Sequence, residues 1–261
     1  MSLKIQNIGN RTVIGVISHM LLVSLLLLVL SVLPDCTHFA PAPAVSVALY
    51  DRVAESFLMV TREDVAENGK TTWSQASGCA VEEEGRHYLY TARHVVFDKT
   101  NNDALPNKLY ATTLQGESHT IDLSRLEVPD GNHDAVRIEL QKPVCRELHL
   151  ANRKPRYGET LFVFGDARGA GVMCADAGMV VAIGPLEFEH DVDTITGMSG
   201  GPVVDRYGNL VGLCEKGRTT TAQKGGVEIK SDSRYLRLRN FATVLYNVNW
   251  RKFTYEATPR Q

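Results

Sequence analysis

GPVVDRYGNLVGL, residues Gly201 to Leu213, reads as a hairpin: two short runs of valine and leucine separated by Tyr207-Gly208-Asn209. Valine suits a half-buried pleated strand, while Gly and Asn accept the backbone angles of a tight turn. The same grammar extends outward in both directions. ESFLMVTR (Glu55 to Arg62), CAVEEEGRHYLYTA (Cys79 to Ala92), NKLYATTL (Asn107 to Leu114) and SHTIDL (Ser118 to Leu123) each fit a strand or a hairpin. So do DAVRIEL (Asp134 to Leu140), ETLFVFGD (Glu159 to Asp166) and GVMCADAGMVVAI (Gly171 to Ile183). Helical periodicity is sustained only over Tyr235 to Val248. The pattern predicts an all-β domain of roughly 200 residues, a sandwich or a pair of barrels. No internal repeat of fixed period and no low-complexity linker interrupts it, so one folded domain is expected.

Composition narrows the function classes. The chain has 261 residues, 44% of them hydrophobic and 22% charged, which excludes an intrinsically disordered chain. Its 28 basic and 30 acidic residues leave a formal charge of -2, so no general attraction to nucleic acid is expected. The five cysteines, Cys36, Cys79, Cys145, Cys174 and Cys214, form no CxxC pair, and structural zinc is not expected.

The N-terminus departs from this pattern. Thr12 to Leu33 is a 22-residue run without a formal charge, preceded by Lys4 and Arg11 and followed by Asp35. About 20 apolar residues cross a bilayer as a helix, and the positive-inside tendency puts the N-terminus in the cytoplasm and the rest outside. An uncleaved signal anchor is favoured over a signal peptide removed near Ala40 to Ala44. Cys36 is expected to be unmodified, because Pro34 and Asp35 stand where a lipidated cysteine would want small residues. The expected organisation is an anchor or signal with a short linker over 1–45, a folded domain over 46–250 and a tail over 251–261.

TITGMSGGPVVD, Thr194 to Asp205, carries the sharpest chemical signal: glycines flank Ser199 on both sides, and a strand-like run follows. A nucleophilic serine needs an exposed hydroxyl and two N–H groups converging on the oxygen that becomes negative during attack. Gly197 can point its N–H into such an oxyanion hole, and Ser199 can supply the second. The segment resembles the active-site motif of the trypsin-like (chymotrypsin-fold) serine proteases. TARHVV, Thr91 to Val96, is similar to the family's histidine motif and supplies His94, with Arg93 where a small residue is usual. DAVRIEL resembles its aspartate segment and supplies Asp134. The three residues occur in the family's order, His94, Asp134, Ser199, 40 and 65 residues apart.

The resemblance covers about residues 50 to 245 and implies two six-stranded antiparallel β-barrels. It implies a serine endopeptidase in which His94 is the general base, Asp134 orients it and Ser199 attacks a peptide carbonyl, with no metal or organic cofactor. Protein or peptide substrates are implied, with no nucleic acid partner. Val95 stands where the animal digestive members have a cysteine, so the cysteine pattern looks more like bacterial or viral members. Most of the cysteines are expected to be buried thiols, with Cys174 and Cys214 the one candidate pair. Alternatives are a viral protease that cleaves its own polyprotein and a non-catalytic peptide binder. The start at Met1 with an export signal favours a free-standing bacterial protein, and no appended recognition module is expected after about residue 250.

For substrate binding, the resemblance places Asp193, six residues before Ser199, at the floor of the specificity pocket, which favours Arg or Lys before the cut. Thr194 resembles the hydroxyl residue of Glu-cleaving members, and Lys216 would favour an acidic side chain too. His133 and His190 are expected to face solvent, with a substrate contact as the alternative for His190, and Glu82 to Glu84 reads as a solvated turn.

Overall fold

The computed structural model describes residues 44–97, 104–215, 223–224, 227–228 and 240–254, all within a unit that spans Pro43–Gln261. The apolar run Thr12 to Leu33, Cys36 and Lys216 lie outside the described residues. Among the described residues no helix is long and apolar enough to cross a membrane.

A short helix, α1 (Val47–Ala54), opens the fold, and the Ser46 hydroxyl caps it by accepting the Leu49 N–H at 3.2 Å. Eight strands follow: β1 (Phe57–Val65), β2 (Thr71–Glu83), β3 (Arg86–Thr91), β4 (Lys108–Thr113), β5 (Ser118–Thr120), β6 (Leu126–Pro129), β7 (Val136–Leu140) and β8 (Leu148–His149). The second half contains β9 (Thr160–Asp166), β10 (Met173–Ile183), β11 (Glu187–His190), β12 (Pro202–Val204), β13 (Leu210–Cys214), β14 (Gln223–Lys224), β15 (Val227–Glu228) and β16 (Asn240–Val244). A last strand, β17 (Trp250–Lys252), returns to the first half.

The second half closes as the resemblance implies, into a six-stranded barrel in the order β10-β11-β16-β13-β12-β9. The first half does not form a second six-stranded barrel. It is a nine-stranded sheet, β17-β6-β7-β3-β2-β1-β4-β5, with β8 alongside β2. Two features keep β5 and β6 apart. β5 has only three residues and gives way to a 3-10 turn at Leu123–Arg125, and β17 occupies an edge of β6 through the pairs Trp250↔Pro129, Arg251↔Val128 and Lys252↔Glu127.

Strands at the seam bury both faces, so they read as nearly continuous apolar runs. Alternate residues of a strand point to opposite sides. Leu58 and Val60 of β1 and Leu89 of β3 therefore pack in the core of the first half, while Phe57, Tyr88 and Tyr90 turn the other way and meet Phe162 and Phe164 of β9. β9 in turn sends Leu161 and Val163 into the barrel with Phe188 and Val203. Leu49 and Val53 of α1 fill the seam. Each such side chain is worth roughly 1.5–3 kcal/mol of burial, and the seam cluster joins the two halves that carry the site.

Candidate active site

β3 ends at Thr91, and one helical turn, α2 (Arg93–Val96), follows with Val95 and Val96 buried beneath it. β3 pairs antiparallel with β7 through Thr91↔Val136, so Asp134, two residues before Val136, arrives beside the turn that carries His94, three residues after Thr91. The contact is double. The His94 N–H donates to Asp134 Oδ1 at 3.0 Å, and His94 Nδ1 lies 2.6 Å from Asp134 Oδ2. Both side chains are half-buried. An ionised carboxylate only accepts, so the contact places the proton on Nδ1 and leaves the Nε2 lone pair available.

Ser199 lies in the loop between β11 and β12, half-buried. Gly197 has φ +97°, and a Cβ there would stand 2.2 Å from the Asp166 carbonyl oxygen, so no other residue fits. At Gly200, with φ +80°, a Cβ would come within 2.2 Å of Thr91 Oγ1 and 2.7 Å of the Ala92 nitrogen. The loop that carries Ser199 is therefore pressed against the residues immediately before His94. The N–H groups of Met198, Gly200 and Gly201 donate to the carbonyls of Ile195, Cys214 and Met198. Those of Gly197 and Ser199 have no hydrogen-bond acceptor among the described residues.

Ser77 holds this loop, and nothing in the sequence singles it out. Its hydroxyl donates to the Gly197 carbonyl at 2.8 Å and accepts the Asp166 N–H at 2.8 Å. Its own N–H donates to the Ser199 carbonyl at 2.9 Å. Arg168, itself at φ 64°, donates its N–H to Thr196 at 2.6 Å from the far side.

A match to the family model described as a trypsin-like peptidase domain runs over residues 76–213, just over half of the chain. The chain belongs to the trypsin-like peptidase domain family. The match takes in His94, Asp134 and Ser199 together with β2, β3, β7 and β9 to β13. Among solved structures, the serine endoprotease from Yersinia pestis is 17% identical with a TM-score of 0.52, over 77% of this chain and 63% of that one. The HtrA-type protease AlgW with tripeptide is 19% identical with a TM-score of 0.52, over 77% of this chain and 60% of that one. The alignment spans less than two thirds of either solved chain, and at these identities the likeness establishes a chymotrypsin-like fold. No curated protein matches.

The other residues of this peptidase-family chain divide differently from expectation. Asp193 is exposed. Thr194 is half-buried and donates its hydroxyl to Asn240 Oδ1 at 2.7 Å. His190 is not a solvent-facing histidine: it ends β11 and is 1% exposed, because its position alternates with buried Phe188 and shares the inward face. Burial pushes its pKa down to about 4, only partly offset by the nearby Asp191 carboxylate. His133 is half-buried, with its pKa lowered by desolvation. Cys174 is an exposed free thiol and Cys214 a buried one, so the candidate pair is not bonded. Burial holds the Cys214 pKa up at about 12. No group of three or more potential ligands for a metal ion occurs among the described residues. An open cavity of about 510 Å³ lined by Arg153, Arg156, Tyr157, Arg206 and Tyr207 includes none of His94, Asp134, Ser199, Gly197 and Ser77.

Proposed function

We propose that the chain is a serine endopeptidase in which Ser199 attacks a peptide carbonyl, His94 relays the proton and Asp134 holds the imidazole. The observation that carries this reading is the grip of both Asp134 oxygens on His94, beside a loop whose Gly197 and Ser199 N–H groups have no acceptor among the described residues. With Nδ1–H committed to Asp134, Nε2 is the base that takes the Ser199 proton and later delivers it to the leaving amine. The Gly197 and Ser199 N–H groups are the donors for the oxyanion, each worth about 3 to 4 kcal/mol in enzymes where one has been removed. A non-catalytic peptide binder has no physical need for the His94–Asp134 pair.

Hydrolysis of an unstructured protein substrate tests the reading. Ser199→Ala should lower kcat/KM by several orders of magnitude without changing the thermal melt, and full activity in that variant would contradict the assignment. The charge flanks of Thr12 to Leu33 support action outside the cytoplasm from a membrane anchor. Carbonate-resistant membrane association is the expected result, and a soluble product beginning near Val45 would contradict the anchor.

A further inference from the structure

Among the described residues, four buried side-chain nitrogen or oxygen atoms lack a hydrogen-bond partner, and two of them are Nδ1 and Nε2 of the single residue His190. Buried polar groups are ordinarily satisfied, and an imidazole orphaned at both nitrogens calls for a ligand or an ordered water. Its surroundings narrow the choice. In the β11–β16 pairing His190 stands directly opposite Asn240, which is also 1% exposed. Directly paired residues share a face with Cβ atoms about 5 Å apart. Asn240 Oδ1 accepts the Thr194 hydroxyl at 2.7 Å, and the Cys214 thiol lies beside that same hydroxyl. The Cys214 carbonyl accepts the Gly200 N–H at 2.7 Å, one residue from Ser199. These groups therefore gather at the end of the barrel that meets the Thr194 to Ser199 loop.

Of the chain's own groups, the Val192 backbone lies near His190 but does not reach hydrogen-bond geometry with either ring nitrogen. The Asp191 carboxylate accepts the Met179 N–H at 2.5 Å, Phe188 presents a tilted ring 6.2 Å away, and Val180 is the cross-strand neighbour on the other side. With Asn240 Oδ1 taken by Thr194, the imidazole is the unpartnered group that the cluster offers, and it carries no fixed charge.

Resting on the serine endopeptidase reading, we propose that His190, with Asn240 and Thr194, is the specificity determinant of this site and receives a substrate Gln or Glu side chain before the scissile bond. A terminal carbonyl oxygen accepts from the imidazole N–H. A carboxamide suits a neutral imidazole, whereas a carboxylate favours one that has taken up a proton. Lys and Arg bring only donors, and Phe leaves the imidazole orphaned. Recognition built on buried hydrogen bonds discriminates strongly, because the wrong side chain leaves those groups unpaired. The neutral resting imidazole, held so by burial, is consistent with Gln as the better of the two.

The test is a set of fluorogenic peptides identical except for Gln, Glu, Ala, Lys or Phe before the cut, used with the full chain and with His190→Leu and His190→Gln. Gln or Glu should exceed Ala, Lys and Phe in kcat/KM by at least tenfold. His190→Leu should reduce the Gln-to-Ala ratio about tenfold or more, and His190→Gln, which keeps a donor and an acceptor, should reduce it less. A preference for Lys or Phe, a ratio near one in the parent, or a ratio unmoved by both variants overturns the proposal. A parent that reacts with a fluorophosphonate yet cleaves none of the peptides also counts against it, while one that neither reacts nor cleaves overturns the endopeptidase reading itself.

Discussion

Ser77 illustrates how much of a site can hang on a residue outside any motif. Its hydroxyl joins the Gly197 carbonyl to the Asp166 N–H, and its amide holds the Ser199 carbonyl. Removing that hydroxyl leaves two buried backbone groups unpaired, each costing about 1–3 kcal/mol. Ser77→Ala should therefore lower the urea midpoint and cut kcat more than it changes KM, because the proposed oxyanion donors lose their anchor. A variant with parental kcat would show that the loop is held by other contacts. His94, Asp134, Ser199 and Gly197 could be nominated from the sequence because the proposed chemistry restricts residue type within a few positions of a strand end. Ser77 and His190 were not. The partners of Ser77 lie far away in sequence, and the burial of His190 depends on β11 being a barrel strand, where local composition reads as an exposed EFEH stretch.

At the scale of elements, register does the positioning. The Thr91↔Val136 pair brings Asp134 to His94, and the alternation of β1, β3 and β9 between two cores sets the seam on which the site stands. Strand identity was readable from valine-rich runs bounded by Gly, Asn and Asp. Strand ends and closures were not, because they depend on which edge a distant segment occupies. Tyr235 to Val248 has helical periodicity, yet Asn240–Val244 is a strand, since the gap between β11 and β13 supplies backbone partners on both sides. β17 carries the sheet past the expected boundary at residue 250. Trp250 there lies edge-on to Tyr90 at 5.5 Å and under the Arg137 guanidinium at 4.9 Å. Trp250→Ala should cost about 2–3 kcal/mol, toward the low end for an aromatic truncation because the ring is only half-buried. In a thermal melt that corresponds to a fall of roughly 4–10 °C, and an unchanged melting temperature would mean that β17 adds nothing to the sheet.

For the whole molecule, the buried histidines make stability depend on pH. The folded-state pKa of His190 is depressed to about 4 and that of His133 is lowered, both by burial. Between the unfolded value near 6.5 and the folded one, the unfolded chain binds more protons, so stability must fall as pH drops through that window. The urea midpoint should be lower at pH 5 than at pH 7, and His190→Gln should narrow the difference. If the variant shows the parental difference, His190 is not held neutral in the folded chain. The pattern of strand-like runs pointed to an all-β domain and composition to near-neutral charge, but such linkage emerges only once strands have decided which histidines go inside.

The central claim concerns Ser199, and covalent labelling addresses it most directly. The folded chain is treated with a fluorophosphonate, and the adduct is counted by intact mass and located by peptide mapping. One adduct per chain, on Ser199 and absent in Ser199→Ala, is the expected result. No adduct on the folded chain, or an adduct that persists in Ser199→Ala, would contradict the account.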